Sequence, residues 1–284
     1  MKFKIEASIH TVPEIVPDPE TQREIEASVL RAVRHLESQP HHLLGEGASA
    51  KVYFPEKGLP NTCYKVLRDN HYPVVHAYND TGKEKIPPIY KAHFDNKTST
   101  DLPWSLSIEE EVKITNKVAL LGQEADMPVD VPLCYHYFKL AGEVDRQDEY
   151  YISDRVEVVL MDRMKGKDLD QIVFGKLPLP SNFDPDAFID KLKTFLDFIH
   201  SHGIYHRDIA LRNIMVDDQG NPKLIDFGRA TDTTMGEDPY RAESMVGDSK
   251  IVRTFTNDDH MLEEVRKSLR EYHKFTQSPE FAKK

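Results

Sequence analysis

The chain has 284 residues, 39% hydrophobic and 30% charged, an ordinary globular composition that excludes a wholly disordered chain and leaves room for one large core or two lobes of about 100 to 150 residues. Its formal net charge of -11 repels a phosphate backbone and argues against nucleic acid as the main ligand. The two cysteines, Cys63 and Cys134, lie far apart and offer neither a metal nor a disulfide framework, so a reducing compartment is expected.

The opening stretch MKFKIEASIHTVPEIVPDPE carries no apolar h-region, and no run of 18 apolar residues occurs. A cytoplasmic protein with no membrane span and no cleaved Sec signal is expected, and export by an address that the sequence does not spell out stays open. Asp18 reads as an N-cap with Pro19 at the first helical position. Ile25, Val29, Val33 and Leu36 follow at helical spacing. Residues 1–40 therefore read as an extension whose accessory helix packs on the main body and ends at Pro40. From 43 to 67, GEGASAKVY and CYKVL suit strands joined by a tight turn. Residues 69–107 hold turn formers with little periodicity, a long insertion or loop of the kind that is usually functional or mobile.

SIEEEVKITNKVALLG reads as a helix opened by a Ser107 and Glu110 capping box and closed by Gly122. Strand signals return at VDVPLCYHYFKL and EYYISDRVEVVLMDRM. AFIDKLKTFLDFIHSHG then places Phe188, Leu192, Phe195, Leu196 and Ile199 on one helical face, with Gly203 at its end. Next comes YHRDIALRNIMVDDQGNPKLIDFGRA, in which NIMV and KLID read as short strands around the turn DDQGN. His206, Arg207 and Asp208 lie in the loop before them, and Asp226, Phe227 and Gly228 follow the second. NDDHMLEEVRKSLREYHKF forms a last helix with Met261, Leu262, Val265, Leu269 and Tyr272 near one face. The order of elements, strand-rich and then helical, gives an α+β fold class.

His206-Arg207-Asp208 with Asn213 five residues on, followed by Asp226-Phe227-Gly228, resembles the protein kinase signature H-R-D-x-x-x-x-N and D-F-G. The resemblance spans about 44 to 230. It implies a bilobal kinase-like fold with ATP in the cleft and Mg²⁺ or Mn²⁺ as the metal. The N-lobe and hinge would cover 41–164, including the insertion 69–107, and a reduced helical C-lobe 165–284.

Within that family Asp226 holds a metal ion, Asn213 holds the second, and Asp208 takes the proton of the attacking hydroxyl. His206 packs beneath the loop and fixes it. Gly45, Gly47 and Val52 match the Gly-rich loop, with Ala50 in place of its third glycine. Lys65 matches the lysine that reaches the α- and β-phosphates. The pattern E-V-x-I selects Glu111 as its ion-pair partner, with Glu110 as the alternative. Met161 is then the gatekeeper, the backbones of Asp162 and Met164 meet the adenine edge, and Asp168 bonds ribose. Val52 and Cys63 roof the adenine, and Met215 floors it.

Beyond Gly228 the match breaks down: no A-P-E follows, and 56 residues remain. A truncated C-lobe is similar both to RIO-type kinases and to the compact effector kinases, of the NleH and OspG kind, that bacteria deliver into host cells. Intact H-R-D and D-F-G favour the effector kind. The implied function is transfer of the γ-phosphoryl group of ATP to a protein hydroxyl, Ser or Thr ahead of Tyr, although DIALRN is closer to the D-L-A-A-R-N loop of tyrosine kinases. The implied partners are a protein substrate, a host protein under the effector reading, and an activating partner or ligand. Arg207 would grip a phosphorylated Thr231, Thr233 or Thr234, or else pair with an acid. Two rivals stay open: a small-molecule kinase on the same fold, and a nucleotide-binding pseudokinase that acts as an interaction module.

Overall fold

The structure, a computed structural model, describes residues 2–12, 18–34, 43–46, 50–54, 61–68, 108–143, 155–175, 177–181, 183–234, 257–279 and 281. In chain order these form β1 (Lys2–His10), α1 (Pro19–Arg34), β2 (Leu43–Glu46), β3 (Ala50–Tyr53), β4 (Thr62–Arg68), α2 (Ile108–Glu124), β5 (Cys134–Glu143), β6 (Arg155–Asp162), β7 (Lys167–Asp168), α3 (Leu169–Gly175), α4 (Pro185–Ser201), β8 (Ile204–Tyr205), a 3-10 turn (Leu211–Asn213), β9 (Ile214–Val216), β10 (Pro222–Leu224), β11 (Thr231–Asp232) and α5 (Asp258–Thr276). The expected helix end at Pro40, the insertion 69–107, Gly47 and the Ser107 cap lie outside the described residues.

The chain divides into two compact units. One holds β1 to β6 with α1, and the other holds α2 and the elements from Met164 onward. The first unit is built on an antiparallel sheet in the order β1-β5-β6-β4-β3-β2. Side chains alternate across a pleated strand, so Tyr64 and Val66 of β4 face one way and Cys63 and Lys65 the other. The Tyr64 face joins Phe138, Leu140, Val156, Val158 and Leu160 in one apolar cluster, and α1 closes it with Ile25, Val29 and Val33. The expected accessory helix is thus one layer of this unit's core. Asp18 starts it, its Oδ1 accepting from the backbone N–H of Glu20 and Thr21 at 2.9 and 3.1 Å.

β1 is absent from the sequence reading. It pairs with β5, and its register slips between Ile5 and Ala7. After that bulge Ser8 lies opposite Phe138 and His10 opposite His136. The slip turns a serine and a histidine toward the buried side. Ser8 Oγ comes 2.6 Å from His136 Nε2, and the His10 ring packs edge-on at 4.1 Å. Burial, reinforced by the nearby His10, lowers the His136 pKa to about 4.

In the second unit α4 buries the expected face of Phe188, Leu192, Phe195, Leu196 and Ile199. Asp184 caps it with Pro185 in the first turn, and Gly203, at φ 75°, turns the chain out of it. α2 adds Ile114, Val118 and Ala119 to the same core, and α5 adds Leu262, Val265, Leu269 and Tyr272. Gly122 does not close α2, which runs on to Glu124. A Cβ there would lie 3.2 Å from Phe195 Cε2, so the glycine serves close helix packing.

Short ladders pin the loops of this unit. β9 pairs with β10 and with β7, and β8 pairs with β11. The segment with Asp208 is therefore held between β8 and β9, and the segment with Asp226 between β10 and β11. Among the described residues no helix is long and apolar enough to cross a membrane.

Candidate functional site

The Asp208 segment is fixed from below by His206, which is fully buried. Its Nδ1 accepts from the backbone N–H of Asp208 at 3.3 Å, and its Nε2 donates to the carbonyl of Ile225 at 3.2 Å. One neutral tautomer satisfies both bonds, so His206 ties the loop to the residue preceding Asp226. Its ring also meets the Phe227 ring edge to face at 4.6 Å.

A second anchor comes from far along the chain. Asp258, in the first turn of α5 and 3% exposed, accepts from the backbone N–H of His206 at 2.8 Å and of Arg207 at 2.7 Å. His200 Nε2 lies 2.9 Å from the same carboxylate. Burial alone would raise this carboxyl, but the donors of His200 and of the loop outweigh it and hold its pKa below the ordinary value. The clamp explains how Arg207 keeps φ at 64°, a conformation costly for a residue with a Cβ. The sequence reading missed Asp258 because acids in a first helical turn are routine. The Arg207 guanidinium itself lies 4.6 Å above the Tyr205 ring, with Nε 3.4 Å from Thr231 Oγ1.

The 3-10 turn brings residues four and five positions on back to Asp208. Arg212 Nη2 donates to both carboxylate oxygens at 2.8 Å. Asn213 Nδ2 donates to Asp208 Oδ2 at 2.9 Å and to its carbonyl at 2.8 Å. Arg229 Nη1 stands 3.6 Å from Oδ1. Asn213 is buried, and its backbone carbonyl accepts from the N–H of Ile225 at 3.0 Å, which sets the start of the D-F-G segment beside it.

Asp226 has φ 66° and is exposed. A Cβ on Gly228 would lie 3.3 Å from Asp226 Oδ1 and 3.4 Å from Oε2 of the buried Glu111, so the glycine lets two carboxylates approach one backbone position. α2 is further tied to the segment past Gly228 by Lys117, whose ammonium lies 2.5 Å from the buried Asp232 and 3.0 Å from Thr234 Oγ1. Burial would raise the Asp232 carboxyl, but the bonds from Lys117 and Thr234 bring it below its ordinary value.

Asn213 and Asp226 suit a divalent ion. Both Asn213 bonds to Asp208 are made by its amide nitrogen, which leaves the amide oxygen as the acceptor end, and an amide oxygen and a carboxylate are the kind of hard donors that Mg²⁺ or Mn²⁺ takes. Another acid group, Asp197, His200 and Asp259, has its ligand atoms within 4.8 Å of one another, but the Lys193 ammonium already bridges the two aspartates.

In the first unit the sheet register gathers the residues expected around a nucleotide. Val52 lies opposite Lys65, Lys65 opposite Val159, and Cys63 opposite Met161. All share the face turned away from α1. Burial pushes the Cys63 thiol up to about 12, with a lesser push from the Asp162 charge, so it stays protonated. Its Sγ lies 3.5 Å from the Asp162 carbonyl, and the Asp162 carboxylate accepts from the Tyr135 hydroxyl at 2.5 Å. Gly45 sits on β2, with its backbone opposite Val52.

In the second unit Asp168 and Met215 are cross-strand partners on β7 and β9 and so share one face, as a ribose contact and an adenine floor require. Met164 is half-buried. Asp168 also caps α3, its Oδ1 accepting from Gln171 N at 2.7 Å, while burial raises its carboxyl.

The family description "Protein kinase domain" matches residues 143–252. Serine/threonine-protein kinase F of Synechocystis is 30% identical over 141 residues, which are 50% of this chain and 26% of that protein. A probable serine/threonine-protein kinase KIN1 homolog of Encephalitozoon cuniculi is 33% identical over 85 residues, 30% of this chain and 15% of its own length. CBL-interacting protein kinase 8 of rice is 34% identical over 87 residues, 30% of this chain and 19% of that protein. The chain thus spans about a quarter or less of the length of these curated relatives. The matched segment contains the loop that aims Asp208 and Asn213 and the turn that carries Asp226, so sequence and geometry agree in likening this part of the chain to a protein kinase domain.

Proposed function

We propose that this protein transfers the γ-phosphoryl group of ATP to a protein hydroxyl, serine or threonine ahead of tyrosine. The observation that carries the reading is the Asp208 carboxylate held by Asn213 Nδ2 at 2.9 Å, with the Asn213 backbone carbonyl bonded to the N–H of Ile225, the residue before Asp226. Asp208 orients the acceptor hydroxyl and takes its proton as the new P–O bond forms and the bond from the γ-phosphorus to the bridging oxygen breaks. Asn213 and Asp226 would hold divalent ions, which would neutralise the phosphate charge. The roles expected of Lys65, for the α- and β-phosphates, and of Glu111, as its counter-ion, are part of the same proposal, as are Gly45, Gly47 and the adenine contacts.

The preference for serine or threonine is supported by relatives whose names carry that specificity. A compact, effector-like role in a host cytoplasm, with a host protein as substrate and an activating partner or ligand, belongs to the same proposal, and the resemblance to effector kinases at H-R-D and D-F-G supports it.

Labelling with radioactive ATP in a host-cell extract tests the proposal, comparing wild type with Lys65→Met, Asp208→Asn and Asp226→Ala. Each variant should lose at least about a hundredfold of the signal. Equal labelling by all four proteins refutes it. Phosphoamino-acid analysis of the labelled product decides between serine or threonine and tyrosine.

A further inference from the structure

A carboxylate offers about four lone-pair sites. At Asp208 they are taken by the two bonds from Arg212, the bond from Asn213 and the approach of Arg229. An acceptor hydroxyl must therefore displace one of these donors. Asn213 is 3% exposed and holds the Asp208 carbonyl as well, so it is the costly one to move. Arg212 and Arg229 have side chains 58% and 47% exposed against 11% for Asp208, so they are the donors that can turn into water when the carboxylate takes another partner. Ala210 brings no charge to the loop. Among the described residues these two guanidiniums are the cations that touch Asp208.

A guanidinium pushed off Asp208 by a neutral substrate loses its anion, whereas a substrate that carries a carboxylate or phosphate beside its hydroxyl supplies another. We propose that Arg229 and Arg212 select acceptor peptides with an acidic or phosphorylated residue next to the acceptor hydroxyl. The inference rests on the protein kinase reading and names its substrate class. The net charge of -11 opposes it only at long range, since fields are screened beyond about 8 Å at physiological salt, and both arginines lie in contact with the proton acceptor. Arginine is also the side chain suited to forked pairing with either anion.

The test uses the full chain and one acceptor peptide with Glu, phosphoserine, Gln or Lys flanking the hydroxyl. Wild type should show kcat/KM about tenfold higher for the Glu or phosphoserine peptide than for the Gln peptide, with the ratio shrinking as salt rises. A gain confined to phosphoserine identifies a substrate already phosphorylated by another kinase, and an equal gain with Glu identifies charge alone. Arg229→Glu should shift the preference toward Lys, and Arg212→Gln should reduce it. The same peptides with alanine at the acceptor position, followed by fluorescence anisotropy, read the selection without turnover. Labelling no better than that of Asp226→Ala on every peptide defeats the kinase reading, while the anisotropy series still reports the anion preference. Equal kcat/KM across the series, a preference for Lys in wild type, or an acidic preference untouched by Arg229→Glu overturns the inference. So does a rise in KM for ATP alone, since the arginines would then serve the nucleotide.

Discussion

Replacing Asp258 by asparagine removes charge and one acceptor from a point where three N–H donors meet. The wild-type carboxylate takes Arg207 N on one oxygen, and His206 N and His200 Nε2 on the other, at 2.7 to 2.9 Å. Asparagine has a single acceptor oxygen, so its NH₂ must face at least one of those donors. A hydrogen bond to a charged group contributes about 1.5–3 kcal/mol, and an opposed buried N–H adds to the loss, so Asp258→Asn should cost about 2–4 kcal/mol. Freed of its clamp, Arg207 relaxes from φ 64° and carries Asp208 with it, so kcat should fall about a hundredfold. Urea unfolding followed by circular dichroism reads the first number, and peptide phosphorylation the second. Asp259→Asn, at the exposed neighbouring position, should change stability by less than about 0.5 kcal/mol. Because the Asp258 carboxyl is depressed in the fold, its contribution is complete above the ordinary value of 3.8 and is lost as pH falls below 3.8 through the folded value. The stability gap between wild type and Asp258→Asn should therefore close on acidification below that point. An Asp258→Asn protein with wild-type urea midpoint and wild-type kcat refutes the reasoning.

Gly228→Ala should lower activity tenfold or more at a stability cost of about 1 kcal/mol, because its Cβ meets the Asp226 and Glu111 carboxylates at 3.3 and 3.4 Å; kinase assay beside thermal melting separates the two effects. Lys117→Met leaves the Asp232 carboxylate buried without its ammonium, and since Lys117 is itself partly exposed the expected loss is about 1–3 kcal/mol in a urea melt, largest above pH 4. His136, lowered to about 4 by burial and by His10, folds best when neutral. Its contribution is whole above pH 6.5 and shrinks as pH falls from 6.5 toward 4, by about 2 kcal/mol after allowance for solvent screening. His136→Phe should flatten that limb of the stability profile, and a limb unchanged in the variant would refute the assignment to His136.

Spacing along the chain was enough to place Asp208, Arg212 and Asn213 together in one loop. Asp208, Arg212 and Asn213 meet through one tight turn, and the apolar face of α4 follows from 3.6 residues per turn; both are local geometry. The row of Val52, Lys65, Cys63 and Met161 also follows from strand alternation once the strands are paired. β1 escaped because the bulge after Ile5 breaks the two-residue period that marks a strand. Gly122 was misread because a glycine near a helix end has two uses, and only the Phe195 ring packed on it distinguishes them. Asp168 was given a ribose contact alone because its cap on α3 depends on where β7 stops.

The anchors of the loop lay further still from view. Asp258 reaches backbone donors 51 and 52 residues away, and Lys117 pairs with an acid 115 residues on. A motif carries its meaning in short-range sterics and hydrogen bonding, which the order of residues encodes directly. The choice of a partner for a buried charge is made by folding, because only the assembled core removes water from that charge and leaves one set of donors within reach. The sequence alone determined the motifs that liken this chain to protein kinases. The tertiary structure decided which distant residues hold those motifs in place and that Arg229 comes beside Asp208.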